Sequence, residues 1–191
     1  MEEQIKEFHE LLDKDFDDYI EEDIRRYEKL SKDILEFKQK SNQKIVLVDI
    51  DGTLTIVGNR LQFLEAEDWD SFYAACGEDE PVRPIIELVQ LLEKSYTIVY
   101  CTGRPEKVRN VTKKWLSYYV YGKPSYEIPD KNLLMRKDHD FRHDIIVKPE
   151  EINNAWFSSD QIEYILEDRD SMVAKWRELG FTCLQVAKGD F

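Results

Sequence analysis

Two aspartates separated by one residue end an apolar stretch in the first third of the sequence. The run from Ile45 to Val48 is unbroken and leads into Asp49, and Asp51-Gly52-Thr53 follows after a single isoleucine. A continuous apolar run rich in valine and isoleucine is typical of a strand buried on both faces of a parallel sheet. Ligands of open α/β sheets bind at the carboxyl ends of the strands, so both carboxylates are expected where chemistry occurs. The alternative, an ordinary Asp-Gly turn, has no need of two acids.

Polar residues of other types follow two further predicted strands, and a lysine lies between them in the sequence. They are Thr102-Gly103-Arg104, Lys148 and Glu167-Asp168. Together with the paired aspartates, this set is typical of metal-assisted phosphoryl transfer through a carboxylate nucleophile. A phosphate ester must have its charge neutralised before an anionic carboxylate attacks it, and a Mg²⁺ ion with basic side chains accomplishes this.

The residue types also predict separate roles within this set. Thr102 and the backbone N–H groups around Gly103 can cradle phosphate oxygens, and Lys148 can screen both nucleophile and phosphate. Asp168 is expected to complete an oxygen-ligated Mg²⁺ site with Asp49 and a backbone carbonyl near Asp51. The Asp51 carboxylate is then free to protonate the leaving oxygen and to deprotonate the hydrolytic water.

The remaining sequence alternates predicted strands and helices, which indicates an α/β fold with a parallel sheet. Predicted strands cover residues 96–101, 132–136, 162–166 and 181–186, and predicted helices cover residues 84–92, 106–119, 150–157 and 172–179. Gly58-Asn59-Arg60 indicates a turn in a hairpin or flap. The aromatic-rich stretch 61–77 either lines a pocket or covers the edge of the core. The intervals between the polar groups are too short for a large cap domain, so we expect an open crevice.

Residues 1–43 form the predicted second part of the chain, an acidic amphipathic helical extension before a phosphate-handling domain over residues 44–191. Apolar residues recur there at steps of three and four, without glycine or proline before residue 42. Two functions remain open for this segment. It is either an oligomerisation or partner-docking helix, which would make a homo-oligomer, or a helix folded against its own domain with its charges in water.

Composition limits the class of protein. The 191 residues carry a net charge of −13, which counts against a broad surface for nucleic-acid backbones but not against a few basic residues in one cleft. The three cysteines, Cys76, Cys101 and Cys183, have neither disulfide-framework nor zinc-site spacing and indicate reduced thiols. Neither a membrane-spanning run nor a signal peptide is apparent, so we expect a soluble cytoplasmic protein.

The motifs, in this order and on these elements, resemble the four signature motifs of the haloacid dehalogenase (HAD) superfamily of phosphohydrolases. The residues that carry the resemblance are Asp49-Ile50-Asp51-Gly52-Thr53, Thr102, Lys148 and Glu167-Asp168. The resemblance covers residues 44–191. It implies a Rossmann-like sheet with flanking helices, Mg²⁺ dependence and an aspartyl-phosphate intermediate on Asp49.

Within this superfamily, the chain is most similar to the 3′-phosphatase domains of bacteriophage polynucleotide kinase-phosphatases. The similarity rests on Arg60, Thr102-Gly103-Arg104, Arg142, Asp144, Lys148, Glu167-Asp168-Arg169 and the stretch Gln185 to Phe191. It implies that Arg60, Arg104, Asp144 and Lys148 belong to the active site, with Gly103 also at the substrate. Glu167 stands where the phage enzymes have aspartate, and it joins the expected metal site.

The resemblance does not extend to a kinase. No Gly-x-x-x-x-Gly-Lys-Ser/Thr motif is present, and 43 residues before the first strand are too few for a nucleotide kinase domain, so we expect no 5′-kinase activity. The implied substrate is a 3′-phosphate on a DNA or RNA end or on a nucleoside 3′-monophosphate. The alternatives are a phosphatase of nucleoside 5′-monophosphates or other small phosphoesters and, in another class, an adaptor that acts through the N-terminal helix.

Overall fold

The computed structural model describes residues 24–31 and 44–189. Residues 24–31 are helical, in agreement with the periodicity of the predicted extension. The rest of that extension lies outside the described residues, so the extension and its homo-oligomer remain predictions. In the described part of the chain, no helix combines the length and apolarity that a membrane crossing requires.

A parallel sheet of five strands forms the centre of residues 44–189, in the order β5-β4-β1-β6-β7. The strands, numbered in chain order, are β1 (Ile45–Val48), β2 (Thr55–Ile56), β3 (Glu80–Pro81), β4 (Thr97–Pro105), β5 (Leu133–Arg136), β6 (Ile162–Arg169) and β7 (Cys183–Gly189). Strands β2 and β3 form a separate antiparallel ribbon. The strand that ends in Asp49 is therefore central, with a parallel neighbour on each side.

Helices cover both faces of the sheet. They are α1 (Leu61–Glu65), α2 (Trp69–Ala74), α3 (Arg83–Leu92), α4 (Arg109–Tyr119), α5 (Asp144–Asn153) and α6 (Asp170–Glu178). Alternate residues of β1 enter two different cores, Val46 and Val48 with apolar residues of α3 and α4, and Ile45 and Leu47 with those of α5 and α6. Burial on both faces explains the unbroken apolar run, and it confirms the predicted α/β Rossmann-like fold.

The predicted hairpin or flap after β1 is a small insertion. Its base is the β2–β3 ribbon, and between these two strands the chain forms the 3₁₀ turn Gly58–Arg60 and the short helices α1 and α2. The insertion itself, between β2 and Asp79, covers residues 57–78 and so has 22 residues, and a large cap domain is absent from the described residues of this interval.

One helix boundary was predicted wrongly. The helix expected near residues 150–157 begins instead at Asp144, where the His143 imidazole accepts a hydrogen bond from the N–H of Ile145 and caps the helix. Pro149 lies inside the helix. Proline lacks an N–H and is favoured in a first turn, so a proline here does not indicate the helical residues that precede it.

Candidate active site

Asp49 lies at the carboxyl end of the central strand and is almost fully buried. Its N–H donates to the carbonyl oxygen of Leu166 at 3.0 Å, so the backbone continues the pairing with β6. Its Oδ1 accepts a hydrogen bond from Lys148 Nζ at 2.7 Å, and the same ammonium donates to Glu167 Oε2 at 2.8 Å. Residues from three elements therefore meet at one carboxylate, as the sequence predicted.

Lys148 reaches this position from α5. The lysine is buried, and it bonds Asp49 and Glu167 instead of pairing on the helix surface with Asp144, four residues away. Burial opposes its charge, but the two carboxylates raise the pKa of Lys148 well above its usual value. The ammonium is therefore charged throughout the physiological range.

Three acids form a cluster that could hold a metal ion. Ligand oxygens of Asp49, Glu167 and Asp168 lie within 4.8 Å of one another, and all three side chains are buried. Thr53 Oγ1 donates to Asp168 Oδ1 at 3.0 Å, which orients that carboxylate. The Asp49 Oδ2 atom is buried and has no hydrogen-bond partner among the described residues. A buried carboxylate oxygen without a hydrogen-bond donor is suited to bind a cation.

The charges of this cluster fit a divalent cation. With its three carboxylates ionised, and with the Lys148 ammonium, the cluster carries a net charge of −2. Burial and the negative charge of Glu167 raise the pKa of Asp49 well above its ordinary range, against the effect of Lys148, and the same two causes raise the pKa of Asp168 to about 6. Oxygen ligands and a charge of −2 suit Mg²⁺, which would remove the mutual repulsion.

Two glycines allow the backbone to approach Asp168. Gly52 has a φ of +89°, and a Cβ atom there would lie 2.1 Å from Asp168 Oδ2. At Gly189 in β7, a Cβ atom would lie 2.7 Å from the backbone oxygen of Asp168. The glycine of the Asp-x-Asp-Gly-Thr motif therefore makes room for an expected metal ligand and provides the left-handed turn that follows Asp51.

The second aspartate of the motif belongs to a different group of charges. Arg104 donates to Asp51 from Nε at 3.0 Å and from Nη2 at 2.6 Å, and Arg60 Nη2 also bonds Asp51. Both arginines also bond Asp79, at 2.7 Å from Arg60 Nη2 and 3.0 Å from Arg104 Nη2. The four charges cancel. We refer to Asp51, Arg60, Asp79 and Arg104 as the arginine–aspartate quartet.

The quartet determines the protonation state of Asp51. Burial raises its pKa, but Arg104 and Arg60 outweigh this and hold the pKa of Asp51 well below the ordinary value. Asp51 is therefore an anion in this structure. Its side chain is absent from the acidic cluster, so its predicted metal contact through the backbone carbonyl remains a prediction.

Asp79 was missed by the sequence reasoning. It follows the insertion, one residue before β3, and lies 2% exposed against Arg60. No motif surrounds it. The sequence did offer one indication of a further acid, namely the two arginines expected at the site. Two buried guanidiniums need a second carboxylate besides Asp51 to balance their charge.

The remaining predicted substrate residues meet at the end of β4. The Thr102 hydroxyl accepts a hydrogen bond from the N–H of Arg104 at 3.2 Å, and the pairing of β4 with β5 changes register after Thr102. Asp144 bonds Arg136 and, at 3.0 Å, Arg169. A Cβ atom at Gly103 would lie 2.7 Å from Asp144 Oδ1. Gly103 and Asp144 are thus adjacent, as expected of one binding site.

A match to a protein-family model identifies the family of this chain. The model of the polynucleotide kinase PNKP phosphatase domain, which is of the HAD type, matches residues 43–191. The chain belongs to this family. It is accordingly a phosphatase of the HAD type, a phosphomonoesterase, and the resemblance seen in the motifs is confirmed.

Individual relatives agree with this assignment. A protein of Autographa californica nuclear polyhedrosis virus, named a bifunctional polynucleotide kinase/RNA ligase, is 27% identical over 138 residues, which are 71% of this chain and 18% of the viral protein. A structure of the Pnkp1/Rnl/Hen1 complex matches at 29% identity with a TM-score of 0.63, over 79% of this chain and 48% of the other.

Two further structures complete the comparison. A structure of the Pnkp1/Rnl/Hen1 RNA repair complex matches at 25% identity with a TM-score of 0.65, over 91% of this chain and 58% of the other. A HAD-like hydrolase from Streptococcus pneumoniae shares the fold at 15% identity, with a TM-score of 0.52 over 75% of this chain and 84% of the other. The chain spans less than two thirds of the kinase-containing and complex-forming relatives.

Proposed function

We propose that this phosphatase removes the 3′-phosphate from nucleic-acid ends or from nucleoside 3′-monophosphates, with Mg²⁺ as cofactor. One observation carries the chemistry. The Asp49 carboxylate is held at Oδ1 by Lys148, while its Oδ2 lies buried and unpaired beside Glu167 and Asp168. This arrangement supports the proposal that one carboxylate acts both as nucleophile and as metal ligand.

The proposed reaction has two steps. In the first, an Asp49 oxygen attacks phosphorus, the bond from phosphorus to the 3′ oxygen breaks, and the nucleoside leaves after that oxygen gains a proton. In the second, water attacks the phosphorus of the aspartyl phosphate and loses a proton. The bond from phosphorus to the Asp49 oxygen breaks, which releases inorganic phosphate and restores Asp49. Mg²⁺ bound by Asp49, Asp168 and Glu167 would neutralise phosphate charge. Lys148 keeps Asp49 oriented in both steps.

Asp51 handles the protons in this scheme. As an anion it is suited to accept a proton from the attacking water. Its other role, protonation of the leaving oxygen, requires that Asp51 first gain a proton. A phosphate that draws Arg60 or Arg104 away from Asp51 would permit this, because the lost positive charge lets the pKa of Asp51 rise. The two arginines and Asp144 are therefore proposed as substrate contacts.

The substrate proposal draws on the comparisons and on the small insertion. One matched structure is named as an RNA repair complex, and a phosphatase that yields a free 3′-hydroxyl prepares a strand for joining. The small size of the insertion, 22 residues, supports a site that a polymer end can reach. We therefore propose that the chain acts in nucleic-acid end repair, on DNA or RNA.

A substrate panel tests the proposal. We expect Mg²⁺-dependent release of phosphate from 3′-phosphorylated RNA and DNA oligonucleotides and nucleoside 3′-monophosphates, well above release from 5′-monophosphates. Asp49→Asn should lower kcat by roughly 10³-fold or more, because the nucleophile is lost. Asp130→Asn, at an exposed ion pair with Lys113, is the control and should behave as wild type.

The outcomes separate the alternatives. Turnover of 5′-monophosphates or glycerol phosphate without turnover of any 3′-phosphate would favour the small-phosphoester alternative. Acid quenching with radiolabelled phosphate substrate should leave label on wild-type protein and none on Asp49→Asn. Activity of Asp49→Asn at the wild-type level would contradict the proposed covalent mechanism.

A further inference from the structure

Helix α2 of the insertion carries a cluster of aromatic rings that the reaction scheme does not use. Trp69 is 53% exposed, whereas Phe72 beneath it is buried. The Trp69 ring centroid lies 5.9 Å from that of Phe72 and 6.2 Å from that of Tyr73, the latter at an interplanar angle of 31°. A tryptophan half in water on a small insertion contributes little to the core, so its exposed face is available for a ligand.

The cluster is continuous with the proposed active site. The guanidinium carbon of Arg60 lies 4.3 Å above the centre of the Phe72 ring, and the same guanidinium bonds Asp51. Two side chains, Arg60 and Phe72, therefore connect Trp69 to a motif aspartate. Burial raises the pKa of Tyr73, and the charges of Arg136 and Asp144 also act on it, which indicates that Tyr73 lies near the proposed substrate residues.

Two contacts tie this helix to the opposite side of the site. Asp70, next to Trp69, forms an ion pair with Lys107, three residues after Arg104. The backbone N–H of Lys107 in turn donates to Asp138 Oδ1 at 2.9 Å, in the segment before α5. Helix α2 therefore contacts the segment that follows β4 through Asp70, and Lys107 extends this contact to the segment before α5.

We propose that Trp69, supported by Tyr73, stacks on the nucleobase of the nucleotide whose phosphate binds at Asp49. This inference rests on the proposed function and specifies how the site distinguishes a nucleotide from other phosphate esters. Stacking suits this acidic protein, because a net charge of −13 gives little attraction for a phosphate backbone, whereas an aromatic ring binds any base through its π face. Base identity would matter little.

A pair of substrates separates base recognition from catalysis. With a nucleoside 3′-monophosphate, Trp69→Ala should lower kcat/KM about tenfold or more, and Trp69→Phe should lower it less. With a sugar 3-phosphate that lacks a base, both variants should match the wild type. Tyr118→Ala is the matched control, since Tyr118 is 58% exposed, contacts a neighbouring ring and lies in the last turn of α4, away from the carboxyl end of β4.

Either of two kinetic outcomes would overturn the proposal. An equal loss on both substrates would assign Trp69 a structural role, and an unchanged kcat/KM on the nucleotide would exclude stacking. The Trp69→Phe variant controls for lost packing, because it keeps an aromatic ring in contact with Phe72 and Tyr73.

A binding measurement distinguishes failure of this inference from failure of the proposed function. In the inactive Asp49→Asn variant, a nucleoside 3′-monophosphate should quench tryptophan fluorescence, and inorganic phosphate should not. The quenching should disappear when Trp69→Phe is added. Quenching that persists in the double variant overturns the stacking, whereas wild-type protein that binds nucleotide in this way but hydrolyses only other esters overturns the proposed function alone.

Discussion

Asp79 shares two arginines with Asp51, and the charges of these four side chains cancel. Without Asp79, two buried guanidiniums would face a single carboxylate. Asp79 therefore stabilises Arg60 and Arg104 in the positions from which they act on Asp51, although Asp79 itself is 2% exposed.

Removal of Asp79 should destabilise the protein strongly. Asp79→Ala leaves an uncompensated buried positive charge, and we expect a loss of about 3 kcal/mol in the free energy of unfolding, measured by urea denaturation. Asp130→Ala removes an acid from an exposed pair with Lys113 and should cost roughly 0–1 kcal/mol. Comparable small losses in both variants would show that the quartet does not stabilise the fold.

The sequence predicted the location of those candidate site residues that directly follow strands. Asp49, Thr102 and Asp168 could be placed together because the carboxyl ends of parallel strands meet at one edge of the sheet. Asp79 could not, because it lies beyond an irregular insertion whose path depends on tertiary contacts. The sequence also did not show that Arg136, within β5, bonds Asp144, because this contact depends on the path of the segment between them.

At the scale of elements, irregular strand ends shape the site. Strand β4 runs to Pro105 and β6 to Arg169, both beyond their predicted ends. Their pairings change register after Thr102 and after Glu167, where the site residues lie. Such irregularities re-aim side chains. Apolar pattern predicts only the regular part of a strand, so the order of elements was predicted correctly while these ends were not.

Two glycines with the same backbone conformation test the steric requirement at the proposed metal site. Gly52 and Gly180 have φ values of +89° and +88°, but only a Cβ atom at Gly52 would meet Asp168, since Gly180 faces open space. Gly180→Ala should cost about 1 kcal/mol through backbone strain alone. Gly52→Ala should cost clearly more and should also displace the Asp168 carboxylate.

The measurement is thermal unfolding with and without Mg²⁺. We expect Mg²⁺ to raise the unfolding temperature of wild type and Gly180→Ala, because the ion binds only the folded site. Gly52→Ala should lose this rise. An equal response of both variants to Mg²⁺ would show that the approach of Gly52 to Asp168 is unimportant for the ion.

At the scale of the whole molecule, the acidic site couples stability to pH. Burial and Glu167 raise the pKa of Asp168 to about 6, from an ordinary value near 3.8. Between about pH 4 and pH 6 the folded state therefore binds more protons at this group than the unfolded state does. The contribution of Asp168 to the free energy of unfolding thus rises as pH falls through this range.

With divalent cations chelated, wild-type protein should gain stability relative to Asp168→Asn as the pH falls from 7 to 5. The difference should reach at most roughly 1.4 kcal/mol per pH unit, followed by urea denaturation. Added Mg²⁺ should favour the ionised cluster, so its stabilising effect should grow from pH 5 to pH 7. Parallel pH profiles of the two proteins would refute the coupling.

The position of β7 has a consequence for the order in which the protein becomes competent. Gly189 packs on the backbone of Asp168, and Gln185 donates to the Asp168 carbonyl at 2.9 Å. The ribosome synthesises the strand bearing Asp49 first and β7 much later, and domains generally fold as units during synthesis. A nascent chain that already contains Asp49, the proposed nucleophile, still lacks the strand that contacts Asp168, a proposed ion ligand. We therefore expect the domain to gain activity only after β7 has been synthesised and has paired with β6.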